Sequence, residues 1–178
     1  STKHSVVLDF KDHNDDEIYI DSECNQQIDK DSTYKEIITL YSKFVPSNKI
    51  QIRIKQILNN IASDFIAIHV RRTDHVLLAK SKNKFTTDEN FITFINKHSA
   101  KLPIFIATDN EDTQKKFKKI YGKRIFWNVS INKSNKLRQT TEENAIVDLY
   151  VCKEALYFLG SGYSSFSDTI DFLRKTKK

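Results

Sequence analysis

The chain has 178 residues, 39% of them hydrophobic and 11% aromatic, which fits one domain with a real core and excludes a disordered chain. No apolar run approaches the roughly 18 residues of a membrane span, and the first ten residues lack the basic-then-apolar pattern of a secretion signal. The net charge of +6 is uneven: residues 1–31 set three lysines against nine acidic residues, and the remainder carries +12.

That basic body admits two readings, a nucleic-acid partner or a Lys-rich solvated surface. Cys24 and Cys152 are far apart and show neither metal nor redox spacing, so a reducing, cytoplasmic setting is expected. Gly occurs only at 122, 160 and 162 and Pro only at 46 and 103, so the few breakers mark boundaries well.

In chain order, Ser5–Phe10 and Glu17–Ile20 read as short strands around an acidic turn. A helix is expected over Thr33–Phe44, stopped by Pro46. Ser47 then caps a helix in which Ile50, Ile54, Ile57, Leu58 and Ile61 recur at helical spacing. From Phe65 an α/β alternation begins. FIAIHV (65–70) is an almost wholly apolar run, as a strand covered on both faces requires, and a polar loop is expected from Arg71 to Lys84. Thr87 caps a helix with Phe91, Phe94 and Ile95 on one face. Ile104–Ala107 is a second buried strand. Asp109 or Asn110 caps a Lys-rich helix ending at Gly122. Arg124–Trp127 is a third strand and Asn128–Arg138 a polar loop. Thr140 or Thr141 starts a helix carrying Ile146, Leu149, Tyr150 and Leu156, Tyr157–Leu159 is a fourth strand, and a last helix follows Gly160–Ser167. Strands alternating with helices predict an α/β fold, a Rossmann-like parallel sheet with helices on both faces. Its ligands belong beyond the carboxyl ends of the strands.

Three loops lie there. The first is His69-Val70-Arg71-Arg72-Thr73-Asp74. Side chains alternate along an extended chain, so His69 and Arg71 share a direction and Arg72 points away. Arg71 can then reach a ligand over the sheet edge, where a guanidinium fork suits a phosphate. Arg72 could pair with Asp74 and hold the loop. The second loop, Thr108-Asp109-Asn110, reads either as an ordinary helix cap or as a carboxylate placed for guanine N–H groups. The third, Gly160-Ser161-Gly162-Tyr163-Ser164-Ser165-Phe166-Ser167, offers close backbone approach, hydroxyls and a helix N-terminus attractive to phosphate. Asp148 is a fourth position: a carboxylate on a small apolar stripe with Ala145, Cys152 and Ala155, which must find a partner.

In this order, FIAIHVRRTD, IFIATDN and AIVDLYVCKEALYFLGSGYSSFS resemble the three peptide motifs of the fucosyltransferase superfamily, which includes α1,2-, α1,6- and protein O-fucosyltransferases. The resemblance covers roughly Pro46 to Arg174. It implies the donor half of a GT-B glycosyltransferase and an inverting transfer of fucose from GDP-fucose to a glycan acceptor. Arg71 would bind the β-phosphate. Arg72 and Asp74 would shape the same loop, and Asp74 is the only candidate general base inside a motif, although the acidic segment Asp9–Glu23 supplies others. His69 and Asp148 would contact or support the nucleotide, the latter at guanine. Thr108 and Asp109 fall on the second motif, and Ser164, Ser165 and Phe166 on the third, at the diphosphate. Arg71 and the helix N-terminus would stabilise the leaving charge, making a metal unnecessary; no cofactor is implied beyond the donor. Asp29-Lys30-Asp31 forms a D-x-D string but lacks a preceding strand signal.

Residues 46–178 are thus expected to form a nucleotide-sugar-binding domain, preceded by a short acidic segment, 1–45, where the family keeps an acceptor-binding half. That shortness implies a domain of a longer polypeptide or a reduced acceptor half. The alternative function is a non-catalytic GDP-sugar-binding domain whose acceptor site comes from another domain or subunit. The nucleic-acid reading lacks its usual marks: no recognition helix with base-reading residues, no zinc spacing and no aromatic RNP string.

Overall fold

The structure is a computed structural model and describes residues 30–72, 75–131 and 140–176. The two strands expected before residue 21, Cys24, the loop residues Thr73 and Asp74, and most of the loop expected over 128–138 lie outside the described residues.

The chain runs α1 (Lys30–Ser42), α2 (Asn48–Ile61), β1 (Ile66–Val70), α3 (His75–Ser81), α4 (Asp88–His98), β2 (Ile104–Thr108), α5 (Glu111–Tyr121), β3 (Ile125–Phe126), α6 (Glu142–Glu154), β4 (Tyr157–Gly160) and α7 (Ser165–Lys175). The sheet is four-stranded and parallel throughout, in the order β3-β2-β1-β4. Ile68 lies opposite Ile106 and Leu159, and His69 opposite Ala107 and Gly160.

The near-continuous apolar character of the strands follows from burial on both faces. On one face Ala67, Phe105 and Ala107 meet Val147 and Val151 of α6, Ile170 of α7 and Ile50 and Ile54 of α2. On the other, Ile66, Ile68, Val70, Ile104 and Ile106 meet Phe91 and Ile95 of α4 and Phe117 of α5. Each of the valine, isoleucine and phenylalanine side chains, fully buried, contributes about 1.5–3 kcal/mol. Tyr41 of α1 stacks on Phe172 of α7 at 5.7 Å, which seats the first helix on the last.

The helix starts carry the expected chemistry. Thr87 Oγ1 accepts from the Asn90 N–H while Asn90 Oδ1 accepts from the Thr87 N–H, a reciprocal capping box. Asn110, rather than Asp109, caps α5, and Thr141, rather than Thr140, caps α6. Gly122 ends α5 at φ +58°, a conformation that favours glycine.

Two expectations need correction. Residues 71–84 are not one loop, because α3 occupies His75–Ser81; HVLLAKS spans too few turns for a helical period to be visible. In α6 the buried side is Val147, Asp148, Val151 and Cys152, whereas Ile146 is 39% exposed and Leu156, 48% exposed, lies beyond the helix. A charged residue on the inward stripe disguised it.

Strand order fixes where a ligand can sit. From β1 the chain steps to β2 and β3 across one face, then returns over the other through α6 to β4 on the far side of β1. The direction of winding therefore reverses between β1 and β4, and the carboxyl ends of those strands are where sheets of this kind form a ligand crevice.

Candidate active site

Alternation along β1 sorts its last residues. His69 and Arg71 turn toward the side covered by α6 and α7, and Val70 and Arg72 toward the side covered by α4. The Arg71 backbone N–H donates to Ser161 Oγ (2.9 Å), and Ser161 donates through its own N–H (2.9 Å) and its hydroxyl (3.2 Å) to the His69 carbonyl. The loop after β4 is thereby stitched to the end of β1. The Arg71 side chain is 25% exposed, with Nε 3.6 Å from Asp109 Oδ2. Asp109 Oδ1 accepts from the Arg72 backbone N–H (2.9 Å), so one carboxylate bonds the main chain and lies within ion-pair range of the Arg71 guanidinium. Thr108 joins the same seam: its hydroxyl donates to the Val70 carbonyl (2.6 Å).

Arg72 is committed to the opposite face. Its Nη2 donates to Asp88 Oδ1 (2.7 Å), and its guanidinium lies over the rings of Phe85 (4.9 Å) and Phe91 (5.7 Å). The other Asp88 oxygen accepts from Lys116 Nζ at 2.6 Å. Burial pushes the Asp88 carboxyl up, but its bonds with Lys116 and Arg72 outweigh that and hold it below the ordinary range. The partner that braces Arg72 is thus Asp88 at the start of α4; the expected partner, Asp74, lies outside the described residues. Asp88→Ala is expected to cost on the order of 2 kcal/mol in urea unfolding, below the full cost of breaking a buried pair because the carboxylate is partly solvated. Replacing Arg72 by Met in that background should recover part of the loss.

Across the crevice stands α7. His69 Nδ1 is 2.8 Å from Ser167 Oγ, and its ring packs on Phe166 with centroids 4.6 Å apart. Ser164 is buried at the N-cap position but its side chain makes no capping bond, so the N–H groups of the first turn, including that of Ser165, are left uncapped by it. The loop is wedged against the segment before α4. The Gly162 N–H donates to Thr86 Oγ1 (2.8 Å), and a Cβ at Gly162 would run into the Lys84 carbonyl oxygen. Gly162→Ala is therefore expected to destabilise the fold by about 1–3 kcal/mol, as overpacking does, and to weaken nucleotide binding through the displaced loop. Chemical denaturation beside calorimetry with GDP checks both.

Asp148 faces inward from α6, and its Oδ1 has no hydrogen-bond partner among the described residues. Burial raises its pKa to about 7; a hydrogen bond from Asn128, which follows β3, and the charge of Arg53 pull the other way.

The structure thus brings His69, Arg71, Thr108, Asp109, Ser164, Ser165 and Phe166 to one end of the sheet. Arg72 lies behind that end, and Asp148 flanks it toward β3. Sequence reasoning did not single out Ser161, Thr86, Asp88, Asn128 or Arg53. Ser161 stood inside the quoted glycine–serine run; the others had no local signal, because their partners are distant in sequence. Among the described residues no three His, Cys, Asp or Glu side chains gather as a metal site, and no helix is long and apolar enough to cross a membrane.

The family model of GDP-fucose protein O-fucosyltransferases matches residues 7–177. No curated protein sequence matches the chain. Among solved structures the chain is similar to the fucosyltransferase NodZ from Bradyrhizobium, with a TM-score of 0.50 and 15% identity over 85% of this chain and 60% of that one. It is similar also to NodZ α-1,6-fucosyltransferase soaked with GDP-fucose, with a TM-score of 0.51 and 16% identity over 84% of this chain and 61% of that one. At such identity the likeness shows the fold. The chain spans about 60% of the length of these enzymes.

Proposed function

The chain belongs to the GDP-fucose protein O-fucosyltransferase family, and from that premise we propose that it transfers fucose from GDP-fucose to a glycan acceptor by metal-independent, inverting displacement. The observation that carries this reading is the seating of Arg71. Its main chain is tied to Ser161 and its guanidinium lies within ion-pair distance of Asp109, at the carboxyl ends of the strands where the winding of the sheet reverses.

In the reaction the acceptor oxygen attacks C1 of fucose. The C1–O bond to the β-phosphate breaks, its electron pair stays on the phosphate oxygen, and the acceptor proton passes to a carboxylate base. Negative charge grows on the β-phosphate as the bond breaks. Arg71 is assigned to that phosphate, with the first turn of α7 at Ser164 and Ser165 beside it. Fixed donors already in place stabilise charge without reorganising, so a metal is not called for. Thr108 and Asp109 position Arg71, His69 and Phe166 pack against the nucleotide, and Asp148 accepts from guanine. Asp74 is assigned as the base. Arg72 acts by bracing the loop from behind. Residues 46–178 form the donor-binding unit in this reading. A reducing compartment suits the buried thiol of Cys152.

A second reading is favoured by one observation, the coverage of only about 60% of the NodZ chains. The chain would then bind the GDP-sugar while another domain or subunit supplies the acceptor site. Calorimetry with GDP beside a transfer and donor-hydrolysis assay separates the two: binding with turnover supports the transferase, binding without turnover the module. A thermal-shift screen with GDP-fucose, GDP-mannose and UDP-sugars tests the donor, and a larger shift with UDP-sugars would sink the assignment.

A further inference from the structure

His69 stands near the end of β1, and its ladder neighbours are the smallest residues of their strands, Ala107 of β2 and Gly160 of β4. Consecutive residues of α7 meet its ring. Phe166 lies against it with centroids 4.6 Å apart, and Ser167 Oγ is 2.8 Å from Nδ1. Both members of that hydrogen bond are buried, His69 at 6% exposed and Ser167 at 4%. Gly160 is what lets Ser167 come so close. A Cβ at position 160 would run into Ser167 Cβ and Oγ, whereas the backbone of Gly160 has no positive φ that would call for glycine. A strand glycine that its own conformation does not require marks a close approach, and here the approaching group is a serine side chain.

The protons of this pair can be counted. A serine hydroxyl carries one, and a neutral imidazole carries one on either of its nitrogens. If His69 Nδ1–H donated to Ser167 Oγ, the hydroxyl proton would need a further acceptor. Among the described residues the Ser167 side chain makes only the bond to His69. Thr169, two residues on, turns its hydroxyl back to the Ser165 carbonyl (2.9 Å), the usual recourse of a helical hydroxyl; Ser167 does not. A buried hydroxyl proton without an acceptor is costly, so the hydroxyl donates and the Nδ1 lone pair accepts.

We infer that Ser167 is a positioning residue that sets the tautomer of His69: its hydroxyl donates to Nδ1, the ring proton is held on Nε2, and His69 serves the nucleotide as a neutral N–H donor instead of a proton acceptor. The tautomer stands on the geometry alone; its use toward a nucleotide rests on the GDP reading given above. The nitrogen on which His69 would accept a proton is the one Ser167 occupies, so the histidine is withdrawn from the role of base. The serines after β4 thus act on β1 twice, Ser161 on its main chain and Ser167 on its side chain.

The test is long-range proton–nitrogen NMR on the full chain with isotope-labelled histidine, at pH ~8, above the ordinary histidine range. Couplings from the carbon-bound ring protons tell which nitrogen is protonated, and the resonances absent from His69→Gln are those of His69. In the ligand-free parent the proton should be on Nε2, with Nδ1 an acceptor; a proton on Nδ1 overturns the inference. Ser167→Ala removes the hydroxyl with little change of bulk. Its two His69 nitrogen shifts should move toward each other as the second tautomer becomes populated, and unmoved shifts in the folded variant overturn the inference. If that variant does not fold, the parent spectrum decides alone. Equal tautomers leave half the molecules competent, so GDP affinity by calorimetry should fall only about twofold in Ser167→Ala. A fall of about tenfold or more would make Ser167 a direct contact of the nucleotide and overturn the positioning role. On titration of the parent with GDP, Nε2 should shift more than Nδ1 and keep its proton; transfer of that proton to Nδ1 overturns the donor role. A parent that binds no GDP overturns the nucleotide reading, while the ligand-free spectrum still decides the tautomer.

Discussion

Arg71→Ala is expected to lower the rate of fucosyl transfer from GDP-fucose by about 10²–10³-fold, the loss that follows removal of one fixed donor from a developing oxyanion, while leaving the fold intact. The main-chain bonds that shape the loop, from Arg71 to Ser161 and from Arg72 to Asp109, survive the truncation. What disappears is the guanidinium, and with it the charge proposed to meet the β-phosphate as the C1–O bond breaks. Stability should change by no more than about 1 kcal/mol, since Asp109 keeps the Arg72 N–H and has access to water. Arg71→Lys should recover only part of the rate, because an ammonium cannot reproduce a planar fork. Initial rates at saturating donor, with GDP affinity measured in parallel, give the result. Full transfer by a purified Arg71→Ala protein would remove Arg71 from the phosphate.

Asp148→Asn is expected to raise the stability of the ligand-free protein above neutrality and to lower its affinity for GDP. The folded carboxyl titrates at about 7 against an ordinary 3.8, because burial penalises the charged form. Between those values the folded state holds a proton that the unfolded state has released. The stabilising contribution is fully present below about 3.8 and is lost as pH rises through about 7. The difference corresponds to about 4 kcal/mol as an upper figure. Asparagine escapes that loss. Its melting temperature should exceed the parent's by several degrees at pH ~8, and the gap should narrow toward pH ~5. Binding moves the other way, because an amide cannot accept both N–H donors of a guanine edge while keeping its own amide protons paired. Greater stability with weaker GDP binding is the signature of a carboxylate kept for a ligand; equal stability at all pH values would contradict the burial argument.

The frame of the fold was legible because its signals are local. FIAIHV and IFIA are apolar runs bounded by polar loops, and Thr87, Asn110, Thr141 and Gly122 end or begin helices by their own chemistry. Alternation along β1 was enough to send Arg71 and Arg72 to opposite sides. The identity of what meets them was not legible. Asp88 reads as an unremarkable first-turn acid of α4, and only the packing of α4 on the sheet brings it to Arg72. Arg53 reads as a charged residue on an amphipathic helix, and its amide partners come from segments 75 and 91 residues away. Asp148 was noticed because it breaks an apolar stripe, yet the same break hid the inward side of α6. The excess positive charge resolves in part: Lys115 and Lys116 of α5 pair with Glu111 and Asp88 on its surface.

The pleat of β1 makes the site sensitive to counting. Sides alternate with every residue, so deleting one residue between Ala67 and Arg71 would exchange the two arginines: Arg72 would turn toward α7 and Arg71 toward Asp88. Each side would still receive a guanidinium, carried one residue later in the chain. Deleting two residues would restore the sides and withdraw the loop by about 6.6 Å, roughly two strand residues. Insertions and deletions here act by parity first and by length second, whereas the loops that follow each strand carry no such constraint.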